Sequence, residues 1–113
     1  MEFSKLIGKT FSKVKQVEDE IHFILDNGKG YKLFHVQDCC ESVYIESIVG
    51  SLSDLENNPI LLAEVAESEY TEASESGTWT FYKLATIKGY VDIRFLGESN
   101  GYYSESVSFG SIR

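Results

Sequence analysis

EIHFILDNGKGYKLFH, residues Glu20 to His35, alternates in side-chain character on either side of a glycine-rich break. Ile21, Phe23 and Leu25 point one way, His22 and Ile24 the other; beyond the break, Tyr31, Leu33 and His35 alternate with Lys32, Phe34 and Val36. A period of two belongs to a strand, because successive side chains leave it on opposite faces. Asp26-Asn27-Gly28-Lys29-Gly30 supplies residues that tolerate positive φ. The two runs are therefore expected to fold back on each other as a tight antiparallel hairpin.

Outward from that hairpin the pattern stays β. Glu2 to Ile7 has room for one helical turn before Gly8, and Thr10 to Val17 reads as a first strand. Ser42 to Ile48 alternates Val43 and Ile45 with Tyr44 and Glu46, and ends at Gly50. Ser53 can cap a helical turn over Asp54-Leu55-Glu56, which Asn57-Asn58-Pro59 stops. Ile60 to Tyr70 has helix-forming Ala and Glu, but Pro59 before it and Tyr-Thr after it favour a strand. Residues 71–77 read as a polar loop. Trp79 to Lys88 and Tyr90 to Leu96 are strands parted by Gly89, with Val91, Ile93 and Phe95 facing away from Asp92, Arg94 and Leu96. Gly97 to Gly101 reads as a second hairpin turn, from which Tyr102 to Phe109 returns to complete a three-stranded meander. The expected class is mainly β, with α+β as the alternative. The expected architecture is a single antiparallel sheet or partly closed barrel of about seven strands, with one or two short helices. Residues 1–113 make one domain, long enough to hold a core without staples.

Charge and cysteine usage exclude some functions. Residues 1–32 hold six Lys and five acids, residues 33–82 ten acids and no Lys or Arg, and residues 83–113 four basic residues and three acids. The net charge of −8 thus arises in the middle of the chain. A nucleic-acid binder needs a basic face to displace counterions, and this chain has none. The acidic middle serves as a solvated surface or as a contact for a partner. No apolar run approaches the ~20 residues of a membrane span, and no apolar leader is visible. The two cysteines, adjacent at 39 and 40, do not make a secreted disulfide framework. They are expected to be reduced in a cytoplasmic protein.

Those cysteines lie in FHVQDCCESV, Phe34 to Val43, beside His35, Gln37, Asp38 and Glu41. Thiolate, imidazole and carboxylate are zinc ligands, but the spacing is not that of a finger. His35 could serve a nucleophilic cysteine if the segment turns, although acidic neighbours raise a thiol pKa. A buried turn capped by Asp38 accounts for the cysteines as small apolar residues. A ligand pocket is the fourth reading: Trp79 and Tyr82 can stack a base, Arg94 lies opposite the core face, and Ser99, Asn100, Tyr102 and Tyr103 add hydroxyl, amide and phenol groups. For Arg94 the plain alternative is a salt bridge to Asp92 or Glu105.

HVQDCCE and GESNGYYS together resemble a family of small phage and bacterial proteins marked by H-x-Q-D-C-C-E and G-x-S-N-G-Y-Y-S segments. The resemblance runs from about the first strand to Val107. One departure is Gly50-Ser51, where that family is associated with Gly-Asp. The resemblance implies a phage- or prophage-encoded accessory protein in the host cytoplasm. By analogy of size and context it implies an anti-defence sponge, which sequesters a nucleotide-derived immune signal such as a cyclic ADP-ribose relative without catalysis. In such a sponge Trp79, Tyr82, Tyr102 and Tyr103 would stack, Arg94 would hold pyrophosphate, and His35, Asp38 and Glu41 would face the ligand. A homodimer or higher oligomer is expected, with no cofactor, metal, nucleic acid or membrane. The rivals are an acidic inhibitor docking on a host enzyme through Glu64 to Glu75, a hydrolase with His35 as base, and a metal-bound structural protein.

Overall fold

The computed structural model describes residues 2–112. The chain is mainly β, as its alternation requires. Eight strands run β1 Lys13–Val17, β2 Glu20–Ile24, β3 Gly30–Phe34, β4 Ser42–Val49, β5 Leu62–Glu69, β6 Ser76–Thr86, β7 Gly89–Ser99 and β8 Ser108–Ile112, with single 3-10 turns at Phe3–Leu6 and Leu52–Leu55. The first falls where the sequence places a helical turn; the second starts earlier than expected, with Ser53 inside the turn and Ser51 at its cap position without a side-chain cap bond. The hairpin of β2 and β3 forms in the register Ile21↔Leu33 and Phe23↔Tyr31. Its loop closes as the Leu25 N–H donates to the Lys29 carbonyl and the Lys29 N–H donates to Asn27 Oδ1. Residues 62–69 form a strand, which settles the choice between strand and helix.

The single sheet or partly closed barrel is corrected. The strands divide into two four-stranded antiparallel sheets, β1-β2-β3-β8 and β4-β7-β6-β5. The cause lies after Gly97. The expected hairpin turn at 97–101 does not form: β7 runs on to Ser99, with Gly97 paired to both Val43 and Thr78. A Cβ on Gly97 would lie 2.7 Å from the Glu105 carbonyl oxygen, so the absent side chain lets the following segment lie directly over β7. That segment then crosses to the other sheet, and β8 pairs with β3 in the register Leu33↔Phe109.

The two inner faces share one core. The first sheet contributes Val14, Ile21, Phe23 and Leu33; the second contributes Ala63, Tyr82, Leu84, Val91, Ile93 and Phe95. Phe3, Leu6, Phe11, Leu55 and Ile60 close its margins. Burying each such side chain is worth roughly 1.5–3 kcal/mol. Phe3 bridges the sheets: its ring lies 6.5 Å from Phe23 and 5.5 Å from Phe109 of the first sheet, and 4.8 Å from Tyr82 of the second.

The four sheet edges differ. On β1 the Val14 N–H donates to the Glu56 carboxylate. On β4 the Ile45 N–H donates to Asp19, and Glu46 is an extra residue in a bulge between Ile45 and Ser47. Such devices discourage another strand from pairing. β5 is the longer of the remaining two and pairs with β6 in unbroken register over all eight residues. Among the described residues no helix is long and apolar enough to cross a membrane.

Candidate functional site

Residues 35–41 leave β3 and enter β4 without a ladder, so their backbone groups need side-chain partners. Glu41 provides them. Its carboxylate, 4% exposed, accepts the N–H of Asp38 at 2.8 Å, the N–H of Cys39 at 2.9 Å and His35 Nε2 at 2.7 Å. The Cys39 and Asp38 N–H groups outweigh the opposing effect of burial, and with His35 they hold the carboxyl at about 2, against an ordinary value of 4.5. His35 Nδ1 lies 2.7 Å from the Ser106 carbonyl, so both ring nitrogens face acceptors. Gln37 donates to the carbonyls of Cys39 and Glu41. His35, Gln37 and Glu41 thus spend their polar atoms holding the turn and tying it to the segment before β8, while Asp38 is exposed. Cys39 and Cys40, expected as free thiols, are joined as a vicinal disulfide on the exposed tip of this turn. Their adjacency, with Cα atoms 3.7 Å apart, puts both sulfurs within reach of each other. Among the described residues no cluster of three or more His, Cys, Asp or Glu side chains is arranged to hold a metal.

Trp79 and Arg94 sit on the outer face of the second sheet. Arg94 Nη2 lies 2.8 Å from both oxygens of Glu46, and its guanidinium stacks 4.8 Å from the centre of the Trp79 ring. The salt-bridge partner is therefore Glu46, neither Asp92 nor Glu105. The β4 bulge shifts the register there, and a bulge leaves no mark in the alternation. Tyr70 packs edge-on against Trp79 at 5.2 Å. Because both ions keep some contact with water, Arg94→Ala is expected to cost about 1 kcal/mol in urea unfolding, with a changed Trp79 emission maximum.

Ser99, Asn100, Tyr102 and Tyr103 belong to the crossing segment. Ser99 Oγ donates to Glu105 and accepts the Gly101 N–H; Asn100 Oδ1 accepts the Tyr102 N–H. These side-chain turns take the place of the hairpin. Glu105 also accepts the Thr78 hydroxyl at 2.7 Å. Burial pushes its carboxyl up, but the Ser99, Thr78 and Ser76 hydroxyls prevail and hold it below the ordinary range. Tyr102 is exposed, its ring 5.2 Å from that of Tyr103.

Tyr82 faces elsewhere, into a groove of about 790 Å³ on the inner side of β5 and β6. The groove lies where the two sheets part, between β5 and β8. Phe3, Val107 and Phe109 wall it, Val65, Thr80 and Tyr82 line its floor, and Glu2, Glu64 and Glu67 are among its lining residues. Burial, aided by the Glu67 charge, pushes the Tyr82 phenol up. Thr80 is 3% exposed and its Oγ1 has no hydrogen-bond partner among the described residues. The eleven residues expected around one ligand therefore stand in four places: the 35–41 turn, the outer face, the crossing segment and the groove. Of the eleven, Tyr82 alone lines the groove. Sequence reasoning missed Phe3, Thr80 and Val65 as groove residues. The available signal was the change within ILLAEVAESE from apolar alternation to glutamates, which marks a strand leaving the core.

No curated protein and no solved structure matches the chain. The model of a domain of unknown function, DUF7448, matches residues 4–109. That span takes in β1 to β7, the start of β8 and the Glu41 turn, and the chain belongs to the DUF7448 family.

Proposed function

We propose that the protein acts by binding rather than by chemistry, and that it docks on a basic partner through the acidic edge of the second sheet. One observation carries this reading. β5 is an eight-residue edge strand bearing Glu64, Glu67 and Glu69, within a fifty-residue stretch, 33–82, that has no Lys or Arg. A surface of one sign speeds encounter with the opposite sign and repels its own. In the phage setting that the motifs imply, the partner is a host enzyme held inactive.

A nucleotide sponge draws less support. It needs stacking rings and a free cation around one space. Arg94 is paired with Glu46 and stacked on Trp79, while Tyr82 stands in a groove where three glutamates, Glu2, Glu64 and Glu67, outnumber the one lysine, Lys83, which lies across from Glu64. Both His35 nitrogens are engaged, which also leaves the hydrolase reading without its base.

Tagged protein incubated with bacterial extract at low salt, then weighed by native mass spectrometry, separates the readings. A stoichiometric basic protein is expected, released by about 0.5 M salt and absent with the Glu64→Lys/Glu67→Lys/Glu69→Lys variant. A bound nucleotide that this variant still retains would overturn docking in favour of the sponge.

A further inference from the structure

β5 offers more than charge. The Tyr70 N–H donates to the Gly77 carbonyl, and this pair continues the β5–β6 register. In an antiparallel ladder, bonded and non-bonded pairs alternate. Ser68, Ala66 and Glu64 therefore spend their amides on β6, while Glu69, Glu67 and Val65 turn theirs to the free edge. No side chain caps those outward amides among the described residues, unlike the Val14 and Ile45 amides of the β1 and β4 edges.

The groove runs beside the same edge. Val65 and Glu67 lie across from Tyr82 and Thr80 and share their face. The floor thus presents an apolar patch, a carboxylate and the unpartnered Thr80 hydroxyl, flanked by Phe3 and Phe109. A strand added beside β5 would lie about 4.8 Å away and send every second side chain into this space.

We infer that the partner presents an extended basic segment that adds to β5 as a fifth strand of the second sheet. The inference rests on the docking reading and names the partner segment for that site. The segment carries a basic and an apolar residue two positions apart, so that both side chains enter the groove. A basic side chain meets Glu67, an apolar one lies over Val65 between Phe3 and Phe109, and a polar group reaches Thr80. Its backbone bonds the Val65 and Glu67 amides, the usual route by which a peptide joins an open edge. A second copy of this chain is a poor occupant, because β5 against β5 would bring Glu64, Glu67 and Glu69 together with their like.

The test uses the full chain and blocked heptapeptides that carry lysine and valine two positions apart among threonines, at low salt, by calorimetry. The wild type should bind with saturation, and a glutamate–valine peptide should not. Methylating the peptide nitrogens that face β5 should weaken binding at least tenfold without touching the protein. Val65→Pro should do the same: an edge strand tolerates proline where its N–H faces outward, and the melting curve checks the fold. If the methylated peptide and Val65→Pro bind as well as their parents while the triple lysine variant does not, strand addition is overturned and docking by charge stands. If no basic peptide binds, or the triple variant binds equally, both fall. Self-association that Val65→Pro abolishes would put a second copy on β5 and overturn the inference.

Discussion

Glu41→Gln is expected to lower the melting temperature sharply at neutral pH and to flatten its fall in acid. The Glu41 carboxylate presents acceptors to two backbone N–H groups and to His35. An amide puts an NH2 against one of those donors and removes the negative charge that the backbone N–H groups stabilise. Because the folded carboxyl is held at about 2 rather than 4.5, its stabilisation is complete above about pH 4.5 and disappears as pH falls through about 2. Melting curves from pH 7 to pH 2 should therefore slope steeply in the wild type. The variant should keep only the smaller slope of groups such as Glu105, which is also held low. Parallel curves for the two proteins would mean that the turn does not depend on this charge.

Phe3→Ala is the second large effect, expected at about 3–5 kcal/mol. Phe3 is 5% exposed and makes edge contacts with Phe23, Phe109 and Tyr82, so it touches both sheets at once. Removing the ring leaves a void where the sheets part, and the first turn loses its anchor. A domain of this size loses roughly 4 °C in melting temperature per kcal/mol. Urea unfolding should show the midpoint falling at an unchanged slope, and the lysine–valine peptide should lose affinity together with the groove wall. A loss below about 1 kcal/mol would show that the first turn contributes little to the core.

How much of this was legible depended on how local the cause was. The β2–β3 hairpin could be read because Ile21, Phe23 and Leu33 and the turn residues between them lie within a few positions of one another. The β5 strand was legible from its neighbours, Pro59 and Tyr70. The split into two sheets was not, because it hangs on Gly97 being crossed by Glu105, and a glycine near Asn-Gly looks the same in a hairpin. The same limit applied to the site. His35 and Glu41 were expected to face a ligand, whereas here they bond each other and backbone groups, and the latter are partners that the residue string does not display. Arg94 found Glu46 through a bulge, and the unpartnered Thr80 hydroxyl depends on which side chains the second sheet brings near it.

The pairing of β3 with β8 has a consequence for synthesis. Gly30 meets Ile112 and Phe34 meets Ser108, so the first sheet waits for residues made 74 to 82 positions later. Pairings so distant in sequence form slowly, since the loop between them must first be closed. While the ribosome is still making that tail, the nascent chain carries the finished hairpin of β2 and β3 with an open flank, and Phe3 has no Phe109 to pack against. The molecule therefore acquires its closed form only once β8 has been made, and until then its acidic middle does the work of keeping neighbouring chains apart.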